Sequence, residues 1–146
     1  MQIDSFLHAM VRKGASDLFV TSGSVPGVKI HGVLEKFNYE VLSPEQARDL
    51  AYSIMSGTQQ VEFEVTHECN FALQRDGLGR FRVNVFQHQN NIGMVLRRIE
   101  TAIPTFDELQ LPPVLEDLSM TKRGLILMVG ATAMGKSTTL AAMIGY

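Results

Sequence analysis

The sequence predicts an α+β domain, an antiparallel sheet with helices, followed by the first βα unit of a parallel α/β phosphate-binding domain. Three observations predict it. Apolar residues recur at helical spacing near the start, residues 69–99 alternate apolar with polar around a glycine turn, and a glycine-rich loop follows an apolar run near the end.

Ile3, Phe6, Leu7, Met10 and Val11 stand at i, i+3, i+4, i+7 and i+8, the pattern of an amphipathic helix that Gly14 can end. Leu18-Phe19-Val20 and Val28 to Leu34 read as strands on either side of the loop Ser22 to Gly27. Ser43-Pro44-Glu45-Gln46 announces a helix, with Ser43 as N-cap, Pro44 in the first turn and Gln46 closing a capping box; Gly57 is its expected terminator. A second helical stretch is expected from about Thr58 to Val65, although Val61, Phe63 and Val65 also alternate as a strand would. Asn70 to Leu73 and Arg80 to Phe86 flank Asp76-Gly77, a hairpin signal, and Met94 to Ile99 gives a third strand after an Asn90-Asn91 turn. Residues 1–100 thus form one helix-flanked antiparallel sheet. Residues 101–120 contain Pro104, Pro112 and Pro113 and read as a linker closing with a short helix from Val114 to Ser119, and residues 121–146 begin the next domain.

Composition narrows the function. With 146 residues, 45% hydrophobic and 19% charged, the chain matches one ordinary globular domain plus a remainder. No apolar run approaches the roughly 18 residues of a membrane span, and Met1-Gln2-Ile3-Asp4 lacks the basic and apolar regions of a signal peptide. A cytoplasmic protein without direct membrane insertion is expected. The single cysteine, Cys69, excludes an intrachain disulfide. A net charge of −2 supplies no global attraction for nucleic acid, so no nucleic-acid partner is expected.

The chemistry lies in Gly130-Ala131-Thr132-Ala133-Met134-Gly135-Lys136-Ser137, which spells G-x-x-x-x-G-K-[ST] directly after Leu125-Ile126-Leu127-Met128-Val129. A turn flanked by glycines can aim successive backbone N–H groups at a polyphosphate, and the helix that follows adds the positive end of its dipole. ATP and Mg²⁺ are the ligands expected. Lys136 is assigned to the β- and γ-phosphates, Ser137 to the metal, and Thr138 completes the binding set. A coincidental glycine-lysine turn is the bland alternative, and the four matched motif positions after an apolar strand argue against it. Only one strand and one helix of this second domain are present, so its acidic metal partner is not included. The chain alone is expected to be inactive.

Five arginines, Arg75, Arg80, Arg82, Arg97 and Arg98, crowd the strand region beside the single acid Asp76. Arginine suits phosphate because its planar fork of donors matches phosphate oxygens and never loses its charge. Arg82 and Arg97 are the better anion candidates if their strands are neighbours; Arg75 and Arg98 read as a solvated outer face. Gly79 to Phe86 only weakly matches an RNA-binding signature, since Arg82 stands where a stacking residue is wanted. His67 and Cys69 have chelating spacing but no second pair.

The chain as a whole resembles the hexameric ATPases of the type IV pilus and type II secretion superfamily, in the pilus retraction branch. Lys13-Gly14-Ala15-Ser16-Asp17-Leu18 resembles that family's N-domain opening, Gly79-Arg80-Phe81-Arg82-Val83-Asn84 its arginine-rich strand, Ile103 to Leu109 its inter-domain linker and Arg123 to Thr139 its Walker A region. His67 to Phe71, Met94 to Thr101 and Leu140 to Tyr146 resemble the accessory retraction ATPases more than their main partners. The resemblance implies a PAS-like N-terminal domain and a RecA-like ATPase domain. It implies a ring of six subunits that works with a paralogous retraction ATPase and an inner-membrane platform protein at the pilus base. It further implies that Arg80, Arg82 and Arg97 approach nucleotide held by a RecA-like domain. Ala133-Met134 replaces the family's usual glycine and small residue, at positions the general motif leaves variable.

Overall fold

A computed structural model describes residues 3–100, 102–132 and 134–146. Two compact units divide the chain, Met1–Ile99 and Glu100–Tyr146. In the first unit, helix α1 (Ile3–Arg12) buries Ile3, Phe6, Leu7 and Met10, and the chain turns out of it through Gly14 at φ +63°. Strands β1 (Asp17–Thr21), β2 (Gly27–Ile30) and β3 (Val33–Lys36) follow. The single strand expected from Val28 to Leu34 is therefore two. His31 and Gly32 have φ of +48° and +86°, a pair of left-handed residues that folds the run back as a two-residue hairpin.

Helix α2 (Pro44–Tyr52) carries the expected capping box: the Gln46 amide donates to Ser43 Oγ, and the Ser43 amide donates to Gln46 Oε1. Gly57 does not end it. Ser53 is the C-cap of α2, and Gly57 is instead the first residue of α3 (Gly57–Thr66), whose own box joins Ser56 to Gln59. Beyond it run β4 (Glu68–Arg75), β5 (Gly79–His88) and β6 (Asn91–Ile99). The last hairpin turns through Gln89 and Asn90, both with positive φ, so Asn91 opens the strand rather than completing the turn.

All strand pairs are antiparallel, in the order β3-β2-β1-β6-β5-β4. Leu18, Val20, Val28, Phe81, Val83, Val85, Met94 and Leu96 share one core with the apolar faces of α1, α2 and α3. The alternate residues point the other way, as the period of two requires. Arg75 and Arg98 are exceptions to the outer-face reading: they keep step with buried Leu73 and with Leu96, so they lie on the helix side at the sheet's end, where Arg75 pairs with Asp4 of α1 at 2.9 Å.

In the second unit a turn over residues 106–110 is capped by Thr105 and Glu108, and α4 (Val114–Ser119) forms as expected. The expected strand Leu125–Val129 does not. Those residues make no ladder, and Leu125, Leu127 and Val129 are exposed. A strand is defined by its neighbours, and among the described residues none pairs with this run. Helix α5 (Lys136–Gly145) then begins where the motif requires. No helix among the described residues is long and apolar enough to cross a membrane.

Candidate functional site

The phosphate-loop residues are placed as follows. Gly130, Ala131, Thr132, Met134 and Gly135 form an irregular exposed loop; Lys136, Ser137 and Thr138 make the first turn of α5; Ala133 lies outside the described residues. Gly135 is the N-cap with φ +78°, a left-handed conformation that a side chain would strain. It offers no capping side chain, so the first-turn N–H groups of α5 have no side-chain oxygen from the cap. Lys136 Nζ folds back and donates to the Ala131 carbonyl at 2.5 Å, holding its charge against the loop. Thr139 secures the turn with its amide and hydroxyl, both donated to the Gly135 carbonyl at 2.9 and 3.0 Å. Met134 is 73% exposed.

Arg80, Arg82 and Arg97 stand on the outer face of the first unit's sheet. Arg82 and Arg97 are directly opposed across β5 and β6, which confirms that their strands are neighbours. Arg80 shares their face two pairs further along, opposite Ile99. The register carries this line across the sheet: Lys29, Asp17, Arg97 and Arg82 stand side by side on β2, β1, β6 and β5. Arg97 Nε donates to Asp17 Oδ1 at 2.8 Å, and Ser16 Oγ donates to Asp17 Oδ2 at 2.8 Å. Asp17 is 4% exposed. Its burial works against ionisation, but the hydrogen bonds from Arg97 and Ser16 and the charges of Arg97 and Lys29 outweigh it and leave the carboxyl below its ordinary pKa.

Next to this line Asn84 donates to Asn70 Oδ1 at 2.9 Å and to Glu68 Oε1 at 3.1 Å, and Asn70 donates to the same Glu68 oxygen at 3.0 Å. Arg82, Arg97, Asn70, Asn84 and Val95 line a concavity of about 270 Å³. Its positive charge comes from Arg82 and Arg97, a pairing suited to an oxyanion, while both Asn84 amide hydrogens are already given to Asn70 and Glu68. The remaining candidates recede. Cys69 is buried in the core, His67 is the left-handed C-cap of α3, and no group of three metal-ligating side chains occurs among the described residues. Asp17 was not legible as a site residue from spacing alone; an acid opening an apolar strand was its only signal.

No family model matches the chain. It is 52% identical over all 146 residues to the type IV pilus ATPase PilU of Pseudomonas aeruginosa, covering 38% of that protein. It is 38% identical, again over its whole length, to the type IV pilus retraction ATPase PilT of the same organism, covering 42% of it. The fold superposes on the crystal structure of the pilus retraction motor PilT with bound ADP with a TM-score of 0.88 at 37% identity, over 100% of this chain and 43% of that one. The chain therefore spans about two-fifths of the length of the relatives it matches. These likenesses place the chain in the secretion ATPase family. Within it, the chain belongs with the type IV pilus retraction ATPases.

Proposed function

We propose that the intact protein hydrolyses ATP in a ring of six subunits and uses the cycle to drive pilus retraction and twitching motility. On this reading residues 1–100 are a PAS-like N-terminal domain, 101–120 the linker and 121–146 the start of a RecA-like ATPase domain. The single observation that carries it is the loop 130–137 entering α5 through left-handed Gly135, in a chain 52% identical to PilU. On the same reading it works in the cytoplasm at the inner-membrane pilus base, alongside a paralogous retraction ATPase and the platform protein.

The loop residues fit a nucleotide. Gly130 to Thr138 would wrap the phosphates with backbone N–H groups, and Lys136 would move its ammonium from the Ala131 carbonyl to the β- and γ-phosphates. Ser137, exposed on the first turn, would hold Mg²⁺, which supplies charge neutralisation between those phosphates. Arg82 and Arg97, with Arg80 beside them, would stabilise the terminal phosphate from across a domain or subunit boundary.

Lys136→Ala should lower turnover of the intact ring by about two orders of magnitude or more, because a charge-stabilising contact matters most in the transition state. Near-normal Mg²⁺-dependent hydrolysis would remove the phosphate-loop assignment. Rings that mix Lys136→Ala with Arg97→Ala subunits should regain part of the activity wherever one intact arginine meets one intact loop. Equal loss in mixed and unmixed rings would assign the arginine a structural role.

A second reading, that this chain by itself is a PAS-like assembly or sensing module with an inactive loop, is favoured by the unladdered run 125–129. A phosphate loop needs its preceding strand seated in a sheet to hold its shape.

A further inference from the structure

We infer that Asp17 is a positioning residue for Arg97: it grips the guanidinium by its Nε edge and leaves both Nη groups free to meet phosphoryl oxygens. The inference rests on the reading of Arg97 as a trans-acting arginine. An arginine has five N–H donors in a rigid fork, and two of its edges can engage an oxyanion bidentately. Here one donor is taken by Asp17 Oδ1, and among the described residues the other four carry no hydrogen bond, while the side chain remains 69% exposed. Arg82, its opposite neighbour, has no such tether among the described residues. Of the two, Arg97 is the one held ready.

The carboxylate cannot easily follow the guanidinium away. Asp17 lies on β1, a central strand paired on both sides, and its second oxygen is held by the Ser16 hydroxyl. Ser16 is itself fixed from both neighbours, its amide donating to the Lys29 carbonyl at 2.8 Å and its carbonyl accepting from the Arg98 amide at 3.0 Å. The pair stabilises the buried carboxylate, and a fixed anchor under an exposed cation also sets a direction.

In the intact protein Asp17→Ala should lower kcat roughly 10- to 100-fold with KM for ATP nearly unchanged, since a misplacement of about 1 Å costs rate more than ground-state affinity. Asp17→Asn, whose Oδ1 still accepts from Nε, should recover part of the loss. ADP with aluminium fluoride, which mimics the transferring phosphoryl group, is the discriminating probe. Asp17→Ala should weaken its binding by a factor similar to the fall in kcat and leave ADP binding unchanged. Equal weakening of ADP and of the mimic, or unchanged kcat with a lower unfolding temperature, overturns the positioning role. If Asp17→Ala does not fold, Asp17→Glu makes the same comparison, because it keeps the charge and shifts the acceptor by one methylene; full activity there overturns the inference. Arg97→Ala with normal kcat would instead remove the trans-acting arginine itself, so the two failures are told apart.

Discussion

Arg82 and Arg97 stand directly opposite each other on β5 and β6, two positive side chains in register, and Asp17 answers only one of them. Like charges opposed across an antiparallel pair are unfavourable, by up to roughly 1 kcal/mol at low salt. Arg82→Gln should therefore stabilise the sheet domain slightly while lowering turnover of the intact protein. Denaturant midpoints at low and high salt check this: the gain should shrink as salt rises.

Asp17 gives the domain an acid-sensitive component. Its folded pKa is lowered, so the stability it contributes is fully present above its ordinary unfolded value and is lost as pH falls through the folded one. Unfolding midpoints measured from pH 7 down to about 3 should fall less steeply for Asp17→Asn than for the unaltered chain. Parallel curves would show that Asp17 titrates alike in both states.

The two capping boxes should be worth similar amounts. Ser43→Ala and Ser56→Ala each remove the oxygen that accepts from a third-residue amide, at a cost of about 0.5–2 kcal/mol. Gln59 and Gln46 lose their reciprocal contacts only if the loop opens, so alanine at Ser56 should leave the α2 cap intact. Urea unfolding of the two single variants and the double variant should give nearly additive losses.

The 146-residue chain should bind ATP poorly while its sheet domain unfolds cooperatively on its own. Ordering a loop costs about 1–2 kcal/mol per residue, and for the eight motif residues that would consume most of a micromolar binding energy. Calorimetry with ATP and Mg²⁺ decides: a low-micromolar dissociation constant would show that the loop is preformed without a seated strand.

Much of this architecture was legible because its signals are local. Residues 3–11 carry an unbroken helical period, and the Ser43 box contains Pro44, which a helix accommodates in its first turn. Ser56-Gly57-Thr58-Gln59 holds the same box, but glycine after a helical stretch also fits a terminator, and only the φ/ψ of Ser56 and Ser53 separate the two. The His31-Gly32 turn was hidden because His31 falls in phase with Lys29 and Gly32 in phase with Val28 and Ile30, so the alternation runs on through the turn. In the site, the arginines and the phosphate loop were readable as residue types. Their register was not: that Arg82 meets Arg97, and that Arg97 meets Asp17 from 80 positions away, is a property of strand order.

That strand order has a kinetic side. β3, β2 and β1 are neighbours in sequence, as are β4, β5 and β6, so each half of the sheet is a meander that can close through short loops. One seam, β1 to β6, joins residues 17–21 to 93–97 across the intervening chain. Closing it carries the largest loop entropy in the domain, which makes it the step expected last in folding. The Asp17–Arg97 bridge spans that seam, so a half-folded chain has the arginine but no anchor for it. Hydrogen exchange that opened the β1 and β6 amides together, ahead of either meander, would be the trace of this order. Assembly competence and completion of the sheet would then be one event.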